Sequence, residues 1–349
     1  VLRRLTEKER AAQLVGDWEP QLRRAWMAAI DGIRNGVVLR VIVERLERGD
    51  IDGAVRVLRI EQEAFADFEL AFAQAFNAGG TAEAAALALR DPEGHRISFR
   101  WSVRDPESET WLRNHSASFV TGIVDEQRDI ARRLLAEGLA RGDNPRQTAL
   151  DLVGRVSRAS GGRTGGVLGL SAPHLAATER ARQALLSGDP EGMRAYLDLK
   201  RRDKRFDASI RRAIETGKPI ARADVDRIIG RLSDSYLKLR ADTIALHETF
   251  TALGQSRNAA FRQAIARGDI DAQDVVKTWR HTPQEHPRAQ HVQMHGQTVQ
   301  FDQPFIAPDG TMIPYPHADG VPANHTLGCK CRVDYRIDYT GALIRRRAA

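Results

Sequence analysis

Cysteine is almost missing from this 349-residue chain: it occurs only at 329 and 331, with one residue between the two. Such close neighbours are badly placed to form an ordinary disulfide, so a disulfide-stapled framework is excluded, and in a reducing compartment the pair suits a metal better. Long apolar runs are missing as well. No stretch approaches the roughly 18 uninterrupted apolar residues that span a bilayer. The first residues also lack an apolar signal core with a small-residue cleavage site. A cytosolic start and no membrane partner are therefore expected. Neither disorder nor a collagen-like repeat fits, because 42% of the residues are hydrophobic and 28% are charged, with both signs interspersed.

What is present is length enough for a real core, either as two ordinary domains or as an elongated helical body with a small module. The formal charge of +7 and the pI of about 9.7 draw the protein toward polyanions through counterion release, without any sequence preference. Arg201, Arg202, Lys204 and Arg205 supply much of that surplus, together with Arg345, Arg346 and Arg347 in the tail. Read alone, such runs are more often solvated faces than binding sites.

Apolar residues recur at helical spacing from Leu2 to about Leu89, through Val38, Val41, Ile42 and Leu46 and then Val57, Phe65, Phe68, Leu70 and Phe72, which predicts two or three helices. Gly79-Gly80-Thr81 reads as a break and Asp91-Pro92-Glu93-Gly94 as a turn; Ile97 to Val103 then alternates like a short strand. A long amphipathic helix is expected from Asn114 to Arg141, and another starts at Asn144-Pro145. The run Ser160 to Gly166 is rich in glycine but lacks the Lys-Ser/Thr ending of a nucleotide loop, so it reads as a flexible connector. Ser171-Ala172-Pro173 looks like a helix start. The stretch Ala223 to Arg267 reads as two helices interrupted near Gly254.

Beyond Asp269 the composition changes. Prolines at 283, 287, 304, 308, 314, 316 and 322 forbid long helices and leave short strands, tight turns and loops. The expected class is α+β: a mainly helical elongated body with a small loop-rich C-terminal module. The expected divisions are an N-terminal helical region (1–110), a helical body (111–268), the module (269–340) and a basic tail (341–349). With little regular core of its own, such a module wants a staple. Trp279, Phe301 and Phe305 are expected to form its small hydrophobic core rather than a ligand platform.

Six of the ten histidines, at 281, 286, 291, 295, 317 and 325, lie in this module with both cysteines. Two thiolates from Cys329 and Cys331 with an imidazole from His291 suit tetrahedral zinc better than magnesium or calcium. The fourth ligand is expected from His286, His325, His295 or water, with His286 the leading candidate. Four protein ligands would make the site closed and structural. The alternative is that the cysteines are small buried hydrophobes and the histidines bond loop carbonyls. Catalytic readings are weaker. His247-Glu248 begins like a zincin helix but has no second histidine at i+4. A Cys–His nucleophile lacks a recognisable orienting or oxyanion element. A metal-dependent nuclease is the more serious enzymatic alternative.

The segment from Trp279 through Arg288, His291 and Gly296 resembles the phage Mu F-like head morphogenesis signature. The resemblance continues through Phe301, Phe305, Pro308-Asp309-Gly310, Tyr315-Pro316 and the closing Gly328-Cys329-Lys330-Cys331-Arg332, which is similar to the family's Asn-Cys-Arg-Cys. Upstream, Arg202 to Asp207 and Leu239 to Ala245 with Glu248 are similar to the helical region preceding this module in phage minor head proteins. About residues 110–335 are covered. Some relatives carry Cys-x-x-Cys where this chain has Arg288 and His291, which implies that 291 is a ligand position and that 288 has lost that role. The resemblance implies a low-copy structural protein of the procapsid and virion head rather than an enzyme. It would act near the portal vertex in assembly and in DNA packaging or ejection, and the portal and major capsid proteins would be its partners. The basic charge would tolerate non-specific contact with packed DNA. A DNA-binding accessory factor is the remaining class.

Overall fold

A computed structural model describes residues 5–90, 94–159 and 161–341. The Asp91-Pro92-Glu93 part of the expected turn, Ser160 and residues 342–349 of the basic tail therefore lie outside the described residues. Helices dominate: α1 (Glu7–Asn35), α2 (Leu39–Glu47), α3 (Ile51–Val57), α4 (Ala66–Ala86), α5 (Pro106–Ala140), α6 (Pro145–Val153), α7 (Ala172–Ser187), α8 (Pro190–Leu197), α9 (Asp207–Thr216) and α10 (Arg222–Ala266). Two small antiparallel pairs interrupt them, β1 (Leu89–Arg90) with β2 (Arg96–Ile97), and β3 (Arg155–Val156) with β4 (Arg163–Thr164). The module follows as β5 (Val275–Arg280), α11 (Ala289–Gln293), β6 (Thr298–Gln300), β7 (Phe305–Ile306), β8 (Met312–Ile313), α12 (Ala323–Thr326) and β9 (Arg332–Ile337). The mainly helical α+β class is as the sequence predicts.

Two compact units divide the chain. One comprises Val1–Arg24, Phe68–Ser116 and Thr243–Ala349; the other comprises Ala25–Asp67 and Ala117–Asp242. In the second unit Asn144 caps α6 by accepting from the amides of Arg146 and Gln147, and Pro145 occupies the first turn. The glycine-rich segment after it is not a loose connector. Gly165 donates its amide to Asp234 Oδ1 at 2.7 Å and Gly169 to Gln127 Oε1 at 2.6 Å. Buried Arg34 and Arg240 spend their guanidinium hydrogens on the carbonyls of residues 166 to 170. A Cβ on Gly166 would lie 2.4 Å from the Gly154 nitrogen, so these glycines permit backbone to pack on backbone. The Gly165 amide, so engaged, does not face a phosphate.

Two further glycine readings give way in the first unit. α4 runs straight through Gly79 and Gly80, because a Cβ there would strike Ser256 Oγ at 2.3 Å and the Trp101 ring at 2.2 Å. α10 is one helix of 45 residues. Gly254 sits in it because the Pro316 carbonyl would come within 3.0 Å of any Cβ. The expected strand from Ile97 to Val103 is confined to Arg96–Ile97.

The module's sheet has the order β6-β5-β9, all antiparallel, with β5 and β9 in register from Val275↔Ile337 to Arg280↔Arg332. Val275, Lys277 and Trp279 alternate inward along β5. The small core expected around Trp279 and Phe305 is present and more extensive than expected: Trp279, Met294, Phe305, Ile313, Cys329, Cys331 and Val333 pack together. Phe301 belongs elsewhere. It packs with Leu89, Phe261, Ile270 and Val275, against the end of α10.

Candidate metal centre

Three elements bring the ligand candidates together. Gly328 adopts a left-handed conformation (φ 68°) that turns the chain into Cys329, and Cys331 stands immediately before β9. The Cys331 amide donates back to Cys329 Sγ at 3.3 Å, the local knuckle that a Cys-x-Cys spacing permits. His291 comes from α11, with its ring edge-on to Trp279 at 5.2 Å between centroids. Gly296 (φ 86°) ends that excursion and donates to the Trp279 carbonyl at 2.9 Å, which ties α11 back to β5.

His291 Nδ1 lies 3.3 Å from Cys329 Sγ and 3.6 Å from Cys331 Sγ. A tetrahedral zinc with ordinary Zn–S and Zn–N bonds sets its sulfur and nitrogen ligands about 3.5 Å apart, so the observed spacing fits. All three ligand atoms fall within 4.8 Å of one another. The residues are 2%, 1% and 4% exposed.

The hydrogen-bond chain behind His291 decides what its Nδ1 offers. Asp309 Oδ2 is 2.9 Å from His325 Nε2, and His325 Nδ1 is 3.1 Å from His291 Nε2. The Thr311 amide and hydroxyl, and after them the His325 contact, hold Asp309 at about 2, so it is a carboxylate and only accepts. His325 Nε2 must then carry the hydrogen. In the neutral ring Nδ1 accepts from His291 Nε2–H, and His291 Nδ1 is left with a lone pair facing the sulfurs. This carboxylate–imidazole–imidazole order is how outer partners orient a metal-ligating histidine. The hydrogen bond with Cys331 lowers Cys329 against the opposing effect of burial, and the same bond, joined by burial, raises Cys331. His291, Cys329 and Cys331 therefore fit a thiophilic divalent metal.

His286 does not join them. It is exposed on the proline-flanked loop between β5 and α11, beside Glu285 at 3.8 Å. His295 is exposed too, and its Nδ1 accepts from the His281 amide at 3.2 Å. Arg288, at the start of α11, directs its guanidinium to the Leu327 carbonyl. Phe305 packs against Trp279 with ring centroids 5.4 Å apart.

A second polar cluster is centred on His115, which no sequence expectation singled out. His115 on α5 contacts Glu248 Oε2 at 2.8 Å and Asp319 Oδ1 at 3.3 Å, stacked against Phe72 and Trp111. Burial alone would lower its pKa, but the hydrogen bonds to Asp319 and Glu248 prevail and raise it to about 9. His317, itself in a left-handed backbone conformation (φ 64°), joins this cluster to the metal centre: its Nε2 is 2.9 Å from the Cys329 carbonyl and its Nδ1 is 3.2 Å from His247 Nδ1. The pair His247-Glu248, so like the start of a zincin helix, thus serves packing between α5, α10 and the module.

Helical segments leading into a small sheet with a buried Cys–His cluster define a class of mainly helical α+β proteins. The particular family follows from comparison. Residues 204–334 match the model of the family described as Phage Mu protein F like protein, so this part of the chain is similar to the family whose signature the sequence resembles. No curated protein and no solved structure matches the chain. Among the described residues no helix is long and apolar enough to cross a membrane.

Proposed function

We propose that this protein is a minor head protein of a tailed phage, built into the procapsid near the portal vertex and assisting assembly and DNA packaging or ejection. The family match over residues 204–334 carries the reading, since it covers α9, α10 and the module with its ligand cluster. Portal and major capsid proteins are the proposed partners and the virion head the proposed location. The basic balance suits proximity to packed DNA without base recognition. We further assign zinc to His291, Cys329 and Cys331, where it would act as a staple: when bound it supplies a closed-shell cation that holds α11 to the chain segment leading into β9. Burial of all three residues supports a structural role over a nuclease, because a duplex has no path to the centre.

The test is mass spectrometry of purified particles combined with a portal pull-down from infected cells. Low-copy presence in particles and co-purification with portal are expected, with loss of infectious particles on deletion. Absence from both procapsids and mature particles would overturn the assignment. Plasmid nicking abolished by chelation would move the protein to the nuclease class.

A further inference from the structure

Three ligands leave a tetrahedral metal one short, and the module's histidines can be sorted by what their nitrogens already do. His325 uses one nitrogen on Asp309 and the other on His291. His317 uses both, on the Cys329 carbonyl and on His247. His286 and His295 are exposed. His281 differs: its Nε2 is shielded from solvent and meets no hydrogen-bond partner among the described residues. A buried imidazole nitrogen left unpaired costs free energy unless something fills the gap.

The sheet register says where that ring stands. β5 and β9 pair as Trp279↔Val333 and Arg280↔Arg332, so the next step along both strands sets His281 opposite Cys331. Alternation puts His281 on the face of Trp279, the ring that packs edge-on against His291. Directly opposed antiparallel residues hold their Cβ atoms about 5 Å apart, a distance an imidazole spans by rotating about χ1 and χ2. The main chain at this point is fixed, since the His281 amide donates to His295 Nδ1 at 3.2 Å. Only the side chain has to move.

We propose that His281 is the fourth ligand, turning its ring onto the metal held by His291, Cys329 and Cys331 and closing a Cys2His2 centre. The inference rests on the zinc assignment above. The metal then satisfies the His281 nitrogen that has no partner without it, and no water or exposed side chain is needed to complete the shell.

The experiment loads the purified full-length chain with cobalt(II) as a spectroscopic stand-in for zinc and measures metal stoichiometry, visible absorption and affinity by chelator competition. The wild-type chain is expected to bind one metal with the intense visible bands of a four-coordinate tetrahedral site. His281→Ala should bind at least about tenfold more weakly, with altered bands as water takes the vacated position. His281→Cys should recover affinity and add thiolate-to-cobalt charge-transfer intensity in the near ultraviolet, which a merely structural residue would not do. His286→Ala should behave as wild type. If His281→Ala keeps wild-type affinity and spectrum while Cys329→Ser abolishes binding, the metal assignment stands and the His281 ligand is refuted. If the wild-type chain binds no metal, both fall.

Discussion

His115 gives the most quantitative handle on the first unit. Its two ring nitrogens face two carboxylates, Glu248 at 2.8 Å and Asp319 at 3.3 Å, and Trp111 Nε1 donates to the other Asp319 oxygen at 2.5 Å. Both nitrogens donate only if the ring is charged. The rise from 6.5 to about 9 is the net of burial, which opposes the charge, and the two carboxylate contacts, which favour it. It corresponds to at most roughly 3.4 kcal/mol of stability. Asp319 is half exposed, so screening brings the contribution to about 2 kcal/mol. Because the folded pKa lies above the unfolded one, this stability is complete below pH 6.5 and is lost as pH rises through about 9. His115→Gln should therefore cost about 2 kcal/mol at pH 6 and little at pH 9.5. Chemical denaturation of both proteins at the two pH values, followed by tryptophan fluorescence, measures the difference, and other titrating groups cancel between the proteins. A gap of the same size at both pH values would refute a charged His115.

Three shorter expectations concern the centre. Cys329→Ser should abolish metal binding and destabilise the module, because a structural metal contributes its binding free energy to folding; element analysis with thermal melts decides this, and a zinc-free wild type that melts identically with and without chelator contradicts it. Asp309→Asn breaks the relay that orients His291 and should weaken metal binding about 10- to 100-fold in chelator competition; unchanged affinity would mean that Asp309 does not set the tautomer. Gly328→Ala should cost about 1–2 kcal/mol through its left-handed backbone alone, since no atom lies within 4 Å of the added Cβ. Gly328→Asn should cost less, and equal melting losses for the two would point to a steric cause instead.

The features that read correctly from sequence are those set by near neighbours. Asn144-Pro145 starts α6 as its cap chemistry requires, and the Cys-x-Cys knuckle with His291 was legible from residue type and order. Glycine misled wherever its reason was distant. Gly79, Gly80 and Gly254 look like helix breaks, but each makes room for a side chain or carbonyl far along the chain. The glycines from 161 to 166 look like slack, yet buried arginines fix the carbonyls that follow. His281 and His286 are the same residue type five positions apart, and burial together with the β5–β9 register separates them. His115 gave no local signal, because its partners stand more than 130 residues away.

Two contacts carry the state of the centre into the helices of its unit. His317 bonds the Cys329 carbonyl on one side and His247 on the other, from a backbone conformation that a non-glycine residue holds only under constraint. Arg257, largely buried and paired with Glu7 and Glu83, donates to the Val333 carbonyl at 2.8 Å. The first contact depends on where Cys329 sits; the second lies within β9, which six residue pairs hold to β5. Removing the metal should therefore free residues 325–331 and relax His317, while β5 and β9 stay paired. Hydrogen exchange with and without chelator resolves this by segment. Faster exchange is expected for the amides of Cys329 and Cys331, with Lys277 to Arg280 remaining protected. Loss of protection spread evenly through β5 would mean that the sheet itself depends on the metal, and that the core around Trp279 and Phe305 is too small to hold it.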